Sequence, residues 1–272
     1  MKDKSTILRQ AKRQLDTALA GWVYFTRVPL PSQISKHIDY ERQSLAQSAK
    51  YLPLIGIAVG SAAGSVYWLA FQALGSYELA VLLGLVAATA MTGAFHEDGL
   101  ADFFDAFGNG FMPKEQVLRI MKDSRIGTYG SLALLLSVLL KYQSLLSLTT
   151  TLIVPTLIAG HSFSRFAAGS FIFTDRYVRD NDESHFKPLL KDAMHGSDFV
   201  VMASLGIVPI ALLGHWQYVL LVPFLWLLRC LFGNWFTRKI GGYTGDCLGA
   251  TQQVIEVGFY LGVIAITKAF GL

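Results

Sequence analysis

The sequence predicts an all-α fold, a polytopic integral membrane helical bundle of about six to seven transmembrane helices. Of the 272 residues, 53% are hydrophobic and 15% are charged, whereas soluble domains carry roughly 25% charged residues. No charged residue occurs from Tyr51 to Tyr77 or from Tyr142 to Ser164. Because a helix needs about 20 apolar residues to cross a bilayer core of about 30 Å, each run is long enough to span a membrane.

The N-terminal part differs in pattern from the rest of the chain. From Ile7 to Val28, apolar positions are mixed with basic ones such as Arg9 and Lys12. This pattern predicts an amphipathic helix that lies along the membrane face and ends at the break that Pro29 introduces. We therefore predict two regions, an N-terminal interfacial segment at 1–50 and a transmembrane catalytic domain at 51–272.

The apolar runs of the second region place seven spans. They lie at about 52–73, 78–95, 130–148, 151–173, 199–214, 218–236 and 254–271. The first span carries Gly56, Gly60 and Gly64, each four residues apart. Small residues at that spacing allow close helix contact in lipid, and we expect this contact within the chain rather than between two chains.

The basic residues indicate which side of the membrane each loop faces. They fall in the N-terminal segment and in the loops 96–129, 174–198 and 237–253, but not in the turns 74–77 and 214–217. The positive-inside rule places those loops in the cytoplasm. We therefore predict a multi-pass membrane protein whose polar, chemically capable residues face the cytoplasm. The basic residues lie between apolar runs, which favours lipid and phosphorylated ligands over nucleic acid.

An acidic segment from His96 to Ala106 is the first candidate for chemistry. In a helix, Asp98, Asp102 and Asp105 lie within about 60° of one another around the axis. Three carboxylates on one face repel each other unless a cation lies among them, and hard oxygen ligands suit Mg²⁺, Mn²⁺ or Ca²⁺ rather than zinc. Glu97 points elsewhere on an ideal helix and is a weaker ligand. The alternative is a solvated acidic start of a helix, which the helix dipole favours.

A basic segment from Ile120 to Gly130 precedes the third span. Lys122 and Arg125 flank Ser124, and glycines follow. Fixed charges beside a turn with free backbone N–H groups predict a phosphate cradle. Contact with lipid headgroups is an equally good interpretation of this segment alone.

A third segment, from Arg238 to Ala250, again leads into a span. Its Thr244-Gly245 turn would let backbone N–H groups approach a substrate, Arg238 adds a charge, and Asp246 offers a further metal ligand. Arg165, in the fourth span, could reach the cytoplasmic side to hold a phosphate or could pair with an acidic group.

These segments together resemble the cobalamin synthase family, the adenosylcobinamide-GDP ribazoletransferases. The resemblance runs from about residue 21 to the C-terminus. Five motifs carry it, in the order Tyr24-Phe-Thr-Arg-Val-Pro29, Tyr51-Leu-Pro-Leu-Ile-Gly56, His96-Glu-Asp-Gly-Leu-Ala-Asp102, Ile120-Met-Lys-Asp-Ser-Arg-Ile-Gly127 and Gly241-Gly-Tyr-Thr-Gly-Asp-Cys-Leu-Gly-Ala250. The resemblance implies assembly of the nucleotide loop of coenzyme B12, in which adenosylcobinamide-GDP and α-ribazole or its 5′-phosphate give adenosylcobalamin or its 5′-phosphate and GMP, with Mg²⁺ required.

In the implied reaction a ribose hydroxyl attacks the phosphate attached to cobinamide and expels GMP. One or two metals with Lys122 and Arg125 would stabilise the developing charge, and Asp105 or Glu97 would accept the hydroxyl proton. Many relatives carry a glutamate where this chain has Gln252-Gln253, so we favour Asp246 over Glu256 as a ligand.

Two other functions remain as alternatives at this point. The Asp-Gly-Leu-Ala element also resembles CDP-alcohol lipid phosphotransferases, but Asp102 stands where that family has arginine. A small-solute transporter would need ionisable groups near the membrane midplane. The candidates for such groups are Lys141, Arg165, Arg229 and Glu256. The sequence leaves a homo-oligomer open.

Overall fold

The computed structural model describes residues 4–36, 38, 47–178 and 194–272, except the side chains of Lys4, Ser5 and Ile7. Within these ranges the chain is helical and forms no β-strand; its single bridge of β type joins Tyr177 to Tyr243. The all-α prediction is therefore confirmed for this part of the chain. Residues 179–193 of the predicted loop 174–198 lie outside the described residues.

Ten main helices lie in the described ranges. They are α1 (Lys4–Phe25), α2 (Leu52–Leu74), α3 (Tyr77–Thr92), α4 (Phe95–Phe107), α5 (Lys114–Ile120), α6 (Thr128–Leu146), α7 (Thr150–Gly169), α8 (Gly196–Ile207), α9 (Leu221–Ile240) and α10 (Gly245–Phe270). Short 3₁₀ segments extend three of them, at Ala49–Tyr51 before α2, at Val208–Leu213 after α8 and at Trp216–Leu220 before α9. Single helical turns lie at Ser32–Ser35 and Phe171–Thr174.

Five of these helices are long and apolar enough to cross a membrane, counted over the described ranges. They are α2, α6, α8, α9 and α10 with their 3₁₀ extensions. A sixth span results if α3 and α4, which meet at an angle of 87°, form one broken span. The prediction of a polytopic membrane bundle is thus confirmed.

The structure differs from the predicted spans at three places, and one of them is the last span, which was predicted at 254–271 but is present as α10 from Gly245 to Phe270. The span predicted at 78–95 ends at Thr92, because Gly93 and Ala94 adopt left-handed conformations with φ of 66° and 57° and turn the chain into α4. The span predicted at 151–173 is present as α7, but α7 is not among the helices that are long and apolar enough to cross a membrane. It carries buried polar residues such as His161, Ser164 and Arg165, so the surrounding helices cover much of it.

The glycine stripe of α2 packs directly against the backbone of α7. A Cβ atom at Gly60 would lie 2.6 Å from the Leu157 carbonyl oxygen, and one at Gly64 would lie 2.9 Å from Val154. At Gly56 it would overlap the carbonyl of His161. The predicted close packing of small residues is confirmed, and it occurs within the chain.

We expect Gly60→Ala to destabilise the protein by about 1–3 kcal/mol, because the added methyl group forces two backbones apart. Alanine is favoured over glycine inside a helix by about 1 kcal/mol, so a net loss must come from this contact. Thermal unfolding in detergent measures the change. Gly110→Ala is the control, because nothing lies within 4 Å of the position of its Cβ. Equal melting temperatures for both variants would contradict the prediction.

The connections between helices distinguish the two ends of the bundle. The Tyr77 hydroxyl donates to the Leu148 carbonyl at 2.7 Å, which joins the start of α3 to the end of α6. The hydroxyls of Tyr218 and Thr267 lie 2.7 Å apart and join the start of α9 to the end of α10. The acidic helix α4 and the starts of α6 and α10 lie at the opposite end, which we call the site end.

Helix α1 ends at Phe25, three residues before the predicted end. Leu8 and Leu15 are 70% and 58% exposed, while the end of the helix is tied to the bundle. The Arg27 N–H donates to the Met91 carbonyl at 2.7 Å. The exposed leucines fit an interfacial helix, and the division of the chain at residue 50 stays a prediction.

Candidate active site

The acidic segment forms helix α4, as its periodicity predicts, and two glycines bring it against the start of α10. A Cβ atom at Gly99 would lie 3.2 Å from the Cα atoms of both Asp246 and Gly249. A larger residue at position 99 would push the helices apart. The crossing therefore places Asp246, which lies far away in sequence, directly beside α4.

The carboxylates around this crossing differ in exposure. Asp98 is exposed, and Asp102 and Asp246 are half-buried. Their oxygen atoms are the donor type that Mg²⁺ prefers, and they come from two helices held in fixed contact. In the part of the chain that the structure describes, no three acidic, histidine or cysteine side chains are gathered closely enough to hold a metal ion. The metal-ligand roles of Glu97, Asp98, Asp102, Asp105 and Asp246 stay predictions.

Asp105 has a capping role that the sequence analysis did not predict. Its carboxylate accepts the backbone N–H of Gly127 at 2.7 Å and that of Gly130 at 2.8 Å. Asp105 thus caps the N-terminus of α6 and holds α4 against it. The backbone N–H groups of Gly127 and Gly130 are thus bound by this carboxylate, and the phosphate cradle at this segment stays a prediction.

We expect Asp105→Ala to loosen the start of α6, at a cost of about 1–2 kcal/mol for the lost cap. Amide hydrogen exchange of residues 127–131 should become faster, while exchange at the start of α10 stays unchanged. Asp105→Asn keeps one acceptor oxygen and should have a smaller effect. Unchanged exchange in Asp105→Ala would contradict the capping role and would restore Asp105 as a candidate ligand.

The basic turn before α6 lies on the surface of the site end. Lys122, Ser124 and Arg125 are all exposed. The guanidinium of Arg125 binds Asp123 through two nitrogens, with Nη2 2.6 Å from Oδ2 and Nε 2.9 Å from Oδ1. These hydrogen bonds lower the pKa of Asp123 to about 2. An exposed ion pair contributes little to stability, so Arg125 can exchange Asp123 for a phosphate group at small cost.

The third segment forms the turn into α10 and the N-terminus of that helix. The Thr244 hydroxyl is buried and accepts the Cys247 N–H at 3.3 Å, which makes Thr244 the N-cap rather than a free substrate ligand. Gly245 has open space around the position of a Cβ atom. Arg238 is exposed in the last turn of α9. Gly245 and Arg238 therefore remain accessible to a substrate.

Arg165 does not reach the surface. Only 2% of this residue is exposed, and its Nη1 donates to the His161 carbonyl at 3.0 Å and lies 3.1 Å from the His161 ring nitrogen Nδ1. Its Nε has no hydrogen-bond partner. A phosphate would have to enter the bundle to bind it.

A buried ionic network surrounds Arg165 and was missed by the sequence analysis. The Glu256 carboxylate lies 2.8 Å from Lys141 Nζ and 3.1 Å from His161 Nδ1. Lys141 also donates to the amide oxygen of Gln253 at 2.7 Å, and the Gln253 amide nitrogen donates to Glu97 at 3.1 Å. The network therefore connects the interior of the bundle to the acidic helix.

Comparison with known protein families gives a match over most of the chain. The model of the family described as cobalamin-5-phosphate synthase matches residues 17–264. The chain belongs to this family. It is 44% identical to the adenosylcobinamide-GDP ribazoletransferase of Shewanella frigidimarina over 257 residues, which cover 93% of this chain and 96% of that protein.

Other relatives give the same result for the cobalamin-5-phosphate synthase family. The adenosylcobinamide-GDP ribazoletransferase of Ralstonia pickettii is 40% identical over 260 residues, 95% of this chain and 97% of that protein. The enzyme of the same name from Shewanella amazonensis is 40% identical over 259 residues. No solved structure is significantly similar to the chain. The family match decides against a CDP-alcohol phosphotransferase and a transporter.

Four of the five motifs that carried the resemblance meet at one small cavity of about 40 Å³ at the site end. Phe25 comes from the first motif, Leu52 from the second, His96 from the acidic motif and Gly249 from the last one. Arg165 lines the same cavity. These motifs are far apart in the sequence of this family member, and the fold brings them together beside α4.

Proposed function

We propose that this chain is the membrane transferase that joins adenosylcobinamide-GDP to α-ribazole or its 5′-phosphate, giving adenosylcobalamin or its 5′-phosphate and GMP. The observation that carries the proposal is the convergence of four family motifs on one cavity beside the acidic helix α4. The match of the family over residues 17–264 supports it, because that match includes all the motifs and every candidate site residue.

The reaction forms a bond between a ribose hydroxyl oxygen and the cobinamide phosphate, and it breaks the bond from that phosphate to GMP. Asp98, Asp102 and Asp246 would together with the substrate phosphates hold Mg²⁺, or Mn²⁺ in its place, and the metal would neutralise the pyrophosphate charge. The exposed Lys122 and Arg125 would bind phosphate oxygens and stabilise the departing GMP.

The hydroxyl proton needs an acceptor close to the reacting atoms. Asp105 is engaged by two backbone N–H groups, whereas the Oε2 atom of Glu97 is buried and has no hydrogen-bond partner. Glu97 is therefore the better candidate for the general base, with Gln253 holding its other oxygen in place.

The distribution of charge supports an active site that faces the cytoplasm. Basic residues lie at the site end, at Lys114, Lys122, Arg125, Arg238 and Lys239, whereas the turns 75–76, 147–149 and 214–215 at the other end carry none. Lys268, in the last turn of α10, is an exception. On the basis of the positive-inside rule we propose that the site end faces the cytoplasm, in a protein of the bacterial inner membrane.

The proposal is tested with the purified protein in lipid nanodiscs, adenosylcobinamide-GDP and α-ribazole. We expect equal amounts of GMP and of the complete corrinoid, and no product when EDTA removes the divalent metal. CDP-diacylglycerol with a simple alcohol serves as the control donor and should give no CMP. GMP release that does not depend on α-ribazole would indicate a hydrolase, and full turnover in EDTA would refute the metal requirement.

A further inference from the structure

A second, larger cavity of about 360 Å³ lies next to α4 and opens between α3 and α6, where the lining residues Val86 and Val138 are exposed. Helices α3 and α6 supply an apolar wall that includes Leu85, Leu134 and Val138. The polar part of the lining comes from α4, α7 and α10, and from α6 at Ser137 and Lys141. Cavities of roughly 300–1,000 Å³ with apolar walls and a few polar groups are typical binding sites for small organic molecules.

The polar wall contains atoms that need a partner. Glu97 Oε2, His161 Nε2 and Arg165 Nε are buried and make no hydrogen bond in the described structure, and all three residues line this cavity. His161 and Arg165 are only 4% and 2% exposed. A buried polar group without a partner is costly, so three of them around one cavity indicate a ligand with hydrogen-bonding groups.

The charges of the cavity wall restrict the type of ligand. Lys141 and Arg165 bring two positive charges, and Glu97 and Glu256 bring two negative ones. Because the formal charges cancel, the cavity favours an uncharged molecule over an anion. A hydroxyl group both donates and accepts, so hydroxyls can satisfy a carboxylate oxygen, a guanidinium N–H and an imidazole nitrogen together.

We propose that this cavity, formed by α3, α6, α7 and α10, is the subsite for the acceptor α-ribazole, whose uncharged aromatic base lies against α3 and α6. Its ribose hydroxyls bind Glu97, His161 and Arg165. This inference rests on the proposed function. The other substrate carries a charged pyrophosphate and a macrocycle, and neither matches a balanced apolar cavity of this size.

The position of Glu97 connects the subsite to the chemistry. Glu97 lines the cavity and precedes Asp98 on α4, so a ribose bound to its carboxylate lies next to the predicted metal ligands. The subsite orients a hydroxyl toward the phosphate, while the donor binds from the exposed face of the site end.

Two substitutions that reduce the cavity test the inference. Val138 lines the cavity and is 47% exposed, so Val138→Trp has room to be accommodated. Leu139, the next residue, is 51% exposed and does not line the cavity, so Leu139→Trp is the matched control. Ala88→Leu fills the cavity from α3. We expect both cavity variants to raise the KM for α-ribazole about tenfold or more, with the KM for adenosylcobinamide-GDP and the control unchanged.

Equilibrium dialysis of radiolabelled α-ribazole without the donor separates this inference from the proposed function. Binding by the wild type that both cavity variants lose supports the subsite. If the wild type releases GMP but both variants keep its KM for α-ribazole, the subsite is wrong and the function stands. If the wild type releases no GMP at all, the proposed function fails. A tightly bound phospholipid that excludes α-ribazole would assign the cavity to lipid and overturn the inference.

Discussion

Asp98→Asn should abolish GMP release, and we expect the same of Asp102→Asn and Asp246→Asn. Asparagine keeps the volume of aspartate but lacks the negative charge that holds a divalent cation. If these carboxylates bind the metal that neutralises the pyrophosphate, each substitution should lower the rate on the order of a thousandfold. This is the largest effect on activity that we predict.

The geometry of the crossing between α4 and α10 is the reason for choosing these three residues. Gly99 brings the backbone of α10 within contact distance of α4 at Asp246, and Asp98 and Asp102 lie on the same side of α4 by helical periodicity. Asp105, in contrast, is engaged at the start of α6. Its replacement should change stability more than it changes the metal dependence.

Initial rates of GMP release over a series of Mg²⁺ concentrations measure the effect, and thermal unfolding shows whether each variant folds. Glu115→Gln is the matched control, because Glu115 is an exposed acid on the neighbouring helix α5. Its rate should equal that of the wild type. Normal turnover of Asp98→Asn and Asp246→Asn in folded protein would show that the metal, if any, binds elsewhere.

Much of the fold could be predicted because the length of an apolar run determines whether a helix can span a membrane. Helices α2 and α6 lie close to their predicted positions, whereas α10 begins at Gly245, well before the predicted start of its span at 254. The bend of 87° after α3 could not be predicted in the same way. It depends on left-handed conformations at Gly93 and Ala94, and an alanine gives no sign of such a conformation in the sequence.

The candidate site was predictable where it depends on one helix or on one motif. The spacing of Asp98 and Asp102 needs only helical periodicity. The network of Lys141, Glu256 and Gln253 needs the arrangement of α6 against α10, which hydropathy does not give. A signal was nevertheless present, because ionisable residues inside apolar runs must find partners. Treating Lys141 and Glu256, which lie in the third and the last predicted spans, as a pair would have predicted their contact.

The second large effect concerns this buried pair. We expect Lys141→Met to lower the free energy of unfolding by about 3–5 kcal/mol, because it leaves Glu256 without its closest cation in an interior where charge is costly. Glu256→Gln should have a similar cost for Lys141. Thermal unfolding in detergent measures both. Lys268→Met, at an exposed position near the end of α10, is the control and should have no effect.

The double variant Lys141→Met, Glu256→Gln separates charge pairing from the positioning of Glu97. Because both charges are removed together, most of the lost stability should return. Activity should stay low, since Gln253 has lost its bond from Lys141 and no longer holds Glu97 in place. If stability and GMP release recover together, the network contributes only to the stability of the fold and is not needed to position Glu97. If neither recovers, the two residues do not stabilise the fold as a pair.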